Sequence, residues 1–397
     1  MQDIWWQRKD LGYKGQELYF AGEAISYWCQ GLQLPLFLYS GARINDNIAR
    51  LQNALNKVDR PCRLLYAMKA NHNSSVLNHI RQSGLGIDAC SPKEVSAALS
   101  CGFHAKDISL TGILSPKELI ELGAVNDLQI NVDSLSALAT IGRHFPEREI
   151  GIRINPQAAS GATNNSLLQY SGDKISKFGI YRDELEEALT IVEQHQLHLK
   201  RAHMHLGCGL SNQGLAQFHN AMRCAREMVD RIPGINQVNL GGGLGVPHLP
   251  SEAPLALKAW TGIINDTWGD SPYQLIFEPG EYLVKDAGML LLNVNYDEVK
   301  AGKRFVFLAG GFNLAKEPAF YQLPCYPIST KLPGKNDAPA DVVGNINEAL
   351  DIWYEQVPLP PMHVGDIVAL LNSGAYAAEM SSNHCMRGDF MERFIST

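Results

Sequence analysis

RLLYAMKANHNSSVLNHIRQSGLGIDACSPKEVSAALSCGFHAKDISLTGILSPKELIELGAVNDLQINVD, residues 63–133, alternates short apolar runs with stretches of helical period. RLLYAMKA (63–70), GIDAC (86–90), DISLTG (107–112) and DLQINVD (127–133) have strand length. Two of the intervening segments open on SPKE, at 91–94 and 115–118. That order supplies a serine N-cap, a proline at the first helical position and a glutamate at N3, so each predicts a helix start. Strand and helix in strict alternation predict a parallel sheet covered by helices.

Working outward, EIGIRI (149–154), RAHMHLG (201–207), INQVNLGG (235–242) and YQLIFEPG (273–280) continue the series to eight strands. Eight is the number a closed (β/α)8 TIM barrel requires. Past residue 287 the texture changes to MLLLNVNYDEV (289–299), RFVFLAGG (304–311), ADVVG (340–344) and DIVALLNSGAY (366–376), strand-like and punctuated by Gly and Pro. QELYFAG (16–22) and LPLFLYS (34–40) read as strands too. The expectation is an α/β chain: a barrel over 36–287 and a second, mostly β domain, Greek-key-like, built from 1–35 and 288–397.

A chain of 397 residues with a formal charge of -7 and no run of five basic residues offers no surface for nucleic acid or anionic membrane. The opening residues lack the apolar core of a leader, and no stretch approaches a membrane span, so a cytoplasmic protein is expected. Eight cysteines without a C-x-x-C pair argue against a disulfide framework or a structural zinc.

Barrels of this kind carry their chemistry at the C-terminal ends of the strands. The expected ends hold Lys69, Asp88, Arg153, His205, the glycines Gly241, Gly242 and Gly243, and Glu278. Charged groups at so many ends are costly to bury without a partner or a task. After the apolar run LLYAM, burial is expected to lower the Lys69 pKa and leave the amine nucleophilic enough for a Schiff base. NLGGGLG offers backbone N–H groups to a phosphate ahead of the helix that follows, although G-G-G-x-G is no dinucleotide fingerprint. His203 and His205 form H-x-H on one strand face, a zinc-like spacing with no third ligand close by, and no metal is expected.

Taken together, YAMKAN around Lys69, GIDACSPKE, LTG, RINP, SKFG, HMHLGCG, NLGGG and FEPG stand in the order of the ornithine/diaminopimelate/arginine decarboxylase family, which the chain resembles from about residue 35 to 385. The resemblance implies a fold-type III pyridoxal 5'-phosphate enzyme with the fold of alanine racemase. It implies that Lys69 holds the cofactor, that His205 stacks on its ring, and that Glu278 binds its pyridine nitrogen. Asp88 and Arg153 would lie near it, and Gly241 to Gly243 would hold the phosphate. Cys208 stands where the family commonly has a phosphate-contacting serine. SGAYAAEMSSN resembles the family's late motif and brings Tyr376 to the phosphate or the substrate. A homodimer with shared sites is implied, acting on a small amino acid in polyamine, siderophore or other amino-acid metabolism. A racemase of the same fold and a non-catalytic homologue that binds a partner are the alternatives.

The chain departs from the family's pattern in several places. GNINEALD (344–351) replaces the Gly-Pro-x-Cys motif and puts Asn347 where the family has the cysteine that reprotonates the α-carbon, with Glu348 beside it toward the substrate. Glu281 and Glu317 stand where arginines usually do, and Ala309 replaces an aspartate. Loss of two cations that would grip a distal carboxylate points away from diaminopimelate, and two acidic groups at the mouth would favour an amine or guanidine.

Overall fold

The structure, a computed structural model, describes residues 4–159, 166–172 and 174–396. The eight expected barrel strands are all present: β1 (Cys62–Ala67), β2 (Gly86–Ala89), β3 (Ile108–Thr111), β4 (Gln129–Val132), β5 (Glu149–Arg153), β6 (His198–His203), β7 (Gln237–Asn239) and β8 (Gln274–Phe277). Each pairs in parallel with the next, and β8 closes on β1 through Leu275, Ile276 and Phe277. Covered on both faces, β2 and β3 bury every residue rather than alternate ones, the polar Asp88, Ser109 and Thr111 included.

The connecting helices start where the sequence predicts. Ser91 caps the helix Pro92–Ser100 by accepting from the Glu94 N–H at 3.2 Å, and Ser115 with Glu118 forms a reciprocal capping box on Pro116–Gly123. Most strands are shorter than their apolar runs. β1 ends at Ala67 and the chain tightens into a 3-10 turn, Met68–Ala70, that carries Lys69. β6 stops at His203 and β8 at Phe277, so His205 and Glu278 lie just past their strands, where loop backbone lets side chains converge.

The chain divides into two compact units. One comprises Ala49–Val246 and Ala253–Tyr282 and contains the barrel; the other comprises Met1–Ile48, Pro247–Glu252 and Leu283–Thr397. The division expected at residues 36 and 287 therefore shifts. Leu36–Ser40, buried throughout, pairs antiparallel with the long strand Gly288–Lys300 and parallel with Met391–Ile395, and these hydrogen bonds draw it into the β unit. The main sheet there has eight strands, six of them in the order Pro327–Ser329, Ile367–Leu371, Gly288–Lys300, Lys303–Leu308, Ala338–Val343 and Ile352–Leu359. Its apolar core, including Leu18, Phe20, Leu36, Leu38, Leu291 and Ala369, joins the chain's first strands to its last.

Candidate active site

At the C-terminal ends of the strands, Lys69 Nζ lies 2.7 Å from Asp88 Oδ2. Asp88 is almost fully buried, whereas the Lys69 side chain stays 39% exposed. Burial alone would lower the lysine's pKa, as its sequence context suggests. Asp88, Glu278 and the hydrogen bond to Asp88 outweigh that effect, and the amine is raised above the ordinary lysine range. Lys69 is thus a cation rather than a neutral nucleophile in the protein alone. Asp88 is pushed up to about 7 by burial and then by Glu278, with Lys69 opposing.

Glu278 is the better-held carboxylate. It is buried, its Oε2 lies 2.9 Å from His203 Nε2, and its Oε1 accepts from Asn239 Nδ2 at 2.5 Å. Burial acts to raise its pKa, but His203, Lys69 and the Asn239 hydrogen bond bring it down to about 2. His203 therefore serves Glu278 and does not pair with His205. The two histidines do not share a strand face, because the strand ends between them. Among the described residues no group of three His, Cys, Asp or Glu could hold a metal.

His205 is half-buried, with Tyr170 at a ring-centroid distance of 5.2 Å and Cys208 Sγ 3.8 Å from its Nε2. Burial, Lys69 and Arg153 hold its pKa well below the ordinary histidine value, so the ring is neutral near pH 7. Arg153 donates to Asp133 Oδ2 at 2.8 Å and lies 4.4 Å over the ring of Phe178, while Asp133 Oδ1 accepts the Gly179 N–H at 2.9 Å. The SKFG segment is thereby tied to the end of β5.

The glycine run after β7 packs beside His205. Gly243 adopts φ +90, and a Cβ there would lie 2.0 Å from the Gly207 carbonyl oxygen, so no other residue fits. No helix follows directly, since the next one is Leu257–Trp268. The run offers bare backbone, and the expected helix N-terminus is absent from it.

These contacts bring together Lys69, Asp88, Arg153, His205, Cys208, Gly241 to Gly243 and Glu278. Glu281 is buried at the start of a four-residue helix, Glu281–Val284. Glu317, Asn347, Glu348 and Tyr376 belong to the β unit. Glu317 forms an ion pair with the fully buried Lys285, whose Nζ lies 5.8 Å from the Tyr376 ring centroid. It is therefore no exposed acidic group, because Lys285 neutralises it. Asn347 and Glu348 are exposed on a loop, with Glu348 3.5 Å from His384. Tyr376 has φ +56, a conformation that side chains rarely adopt.

A sequence profile of the family described as "Pyridoxal-dependent decarboxylase, pyridoxal binding domain" matches residues 42–285. The chain belongs to the pyridoxal-dependent decarboxylases. A diaminopimelate decarboxylase of Methanothermobacter thermautotrophicus is 31% identical over 369 residues, which cover 89% of this chain and 84% of that protein. The crystal structure of M. jannaschii diaminopimelate decarboxylase with L-lysine superposes with a TM-score of 0.87 at 25% identity, over 97% of this chain and 92% of that one. The arginine decarboxylase of Paramecium bursaria Chlorella virus, at 18% identity and a TM-score of 0.80 over 93% of this chain and 98% of that one, shares the fold.

This decarboxylase is a carboxy-lyase that acts on an amino acid with pyridoxal phosphate as cofactor. The residues present fit that group: a lysine beside a buried carboxylate, a second carboxylate held ionised, and a glycine backbone with no Cβ to obstruct a phosphate. The sequence alone left His203, Asn239, Asp133 and Lys285 without these roles. Asn239 in NLGGG and Lys285 in the apolar EYLVKD carried a signal, since each is a polar residue inside a run that ought to be buried.

Proposed function

We propose that this chain removes the α-carboxylate of an amino acid whose far end is not the amino-carboxylate centre of diaminopimelate. Pyridoxal phosphate, when bound, supplies a sink for the electron pair left on the α-carbon as carbon dioxide departs. Lys69 would carry the cofactor, and Asp88 holds the lysine in position at 2.7 Å. Glu278 would face the pyridine nitrogen and keep it protonated. His203 and Asn239 keep Glu278 charged and aimed for that work. Neutral His205 would lie against the ring, Gly241 to Gly243 and Cys208 would receive the phosphate, and Arg153 would stand near it.

The observation that carries this reading is the pair of buried carboxylates at Lys69: Asp88, 2.7 Å from the amine and raised by burial, and Glu278, held ionised by His203 at 2.9 Å and by Asn239. Carboxylates pushed apart in this way take separate tasks. Asn347 has no proton to give at neutral pH, so Lys69 Nζ returns the proton to the α-carbon. The 344–351 loop, with Glu348, serves the site of a second copy in a homodimer, as the family resemblance implies.

Substrate choice rests on charge. Neither Glu281 nor Glu317 can grip a distal carboxylate, and Lys285 already occupies Glu317. An acid at 281, where the family resemblance implies an arginine, favours a substrate ending in an amine or guanidine over one ending in a carboxylate. Carbon dioxide release measured across lysine, ornithine, arginine, diaminopimelate and their N-acylated forms tests this. Turnover of a monocarboxylate at least about tenfold above diaminopimelate in kcat/KM is expected, the worth of one charge contact. Diaminopimelate as the preferred substrate would overturn it.

A further inference from the structure

The barrel has a polar cavity at the end opposite Lys69, open to solvent and with a volume of about 690 Å3, within the range of small-molecule sites. Lys106, Gln129, Arg148, Lys200, Arg201 and Gln237 line it, at or near the N-terminal ends of β3 to β7. Two acids, Asp127 and Glu149, also face it, so the four basic side chains leave it positive.

Arg201 decides what this cavity is for. It precedes His203 by two residues on β6, which places both side chains on the same face of the strand. Its residue exposure is 6%, its Nε is buried without a hydrogen-bond partner, and it makes no salt bridge among the described residues. Burial pulls its pKa down to about 10, with Glu149 offsetting this only in part and Arg148 adding to it. Arg148 is different: it donates to the carbonyls of Gly123, Val125 and Leu128 and so has a structural task. Even so, its Nε is buried and unpartnered as well.

The neighbouring strand makes room for Arg201. It pairs with Gly151 of β5, where a Cβ would stand 3.0 Å from Arg201 Cβ and 2.0 Å from Asn131 Oδ1. Asn131 alone forbids a side chain there, and the bare glycine leaves the Arg201 stem uncrowded. A buried Nε–H without an acceptor is costly, and Glu149 compensates the Arg201 charge only in part, so an anion in the cavity would offset the remainder.

We propose that the floor of the barrel is a binding site for a small polyatomic anion, a carboxylate or a phosphate, held by Arg201 with Arg148, Lys200 and Lys106. The planar guanidinium supplies paired N–H donors to either oxyanion, and the lysines supply charge. The site is separate from the cofactor's phosphate cradle, which lies beyond β7 at the other end of the barrel.

Isothermal titration of the pyridoxal-phosphate-loaded enzyme with inorganic phosphate, and separately with malonate, tests this with the cradle already filled. Saturable binding of one equivalent of at least one anion is expected. Arg201→Met, which keeps the apolar stem, should weaken it by roughly tenfold or more, the loss of a charge-assisted hydrogen bond. Lys106→Glu, on the exposed rim, should weaken it by about threefold. Neither variant should alter the visible absorption of the bound cofactor. Binding of phosphate alone assigns phosphate esters, and binding of malonate alone assigns carboxylic acids. No saturable binding of either anion, or equal binding by the wild type and both variants, would overturn the proposal. Should Arg201→Met fail to fold, Lys106→Glu decides.

Discussion

Two lysines in this molecule each pair with a carboxylate, and the pairs behave differently. In the β unit Lys285 is completely buried against Glu317, itself buried. In the barrel unit Lys69 remains 39% exposed, and its partner Asp88 is crowded by Glu278. A lysine with no exposed surface, held against a buried acid, has no path to a ligand, so its pair is structural. A lysine open to solvent beside two competing acids can change partners. Exposure of the cation, together with conflict between the carboxylates, separates a reactive pair from a structural one.

Breaking the structural pair should have the largest effect. Lys285→Met leaves Glu317 buried and charged without its partner, and a loss of about 3–5 kcal/mol in unfolding free energy is expected from denaturant titration. The double variant Lys285→Met/Glu317→Leu should recover most of that loss, because two apolar side chains fill the space of the ion pair. A double variant as unstable as the single one would show that the pair has a task beyond packing.

The reactive site is probed next through Glu278→Gln. The amide keeps the shape and removes the charge, so cofactor should still bind while kcat falls by about 10²–10³-fold. An unchanged rate would make Glu278 structural, like Glu317.

The smallest effect concerns pH. Glu278 is held at about 2, below the ordinary glutamate value, chiefly by His203. A lowered carboxylate contributes stability that is complete above its unfolded pKa, near 4.5, and is lost as the pH falls toward 2. His203→Gln should therefore move the acid-unfolding midpoint of the protein to higher pH, read by circular dichroism. An unmoved midpoint would show that Asn239 and Lys69 suffice.

Much of the barrel was legible because short runs of strand length alternate with stretches of helical period and two helices carry complete start signals, at Ser91 and Ser115. The ends of the runs were less legible. RLLYAMKA reads as one strand, yet the chain turns at Met68, and RAHMHLG ends as a strand at His203. Apolar character continues past a strand whenever the next turn is also buried, so hydropathy cannot mark the stop. Lys69, Asp88, His205 and Glu278 were singled out from their places at these ends, and the structure gathers them there. The tasks of His203 and Lys285 were not, since their partners lie 75 and 32 residues away and pairing over such separations leaves no local pattern. The same blindness made Glu317 look like an open charge.

The central claim is that Lys69, and not Lys285, carries the cofactor. Borohydride reduction of the loaded enzyme, followed by proteolysis and mass spectrometry, reads it directly. A pyridoxyl group on the peptide bearing Lys69, absent from Lys69→Ala, is the expected result; a label on Lys285, or no label on any lysine, would contradict it.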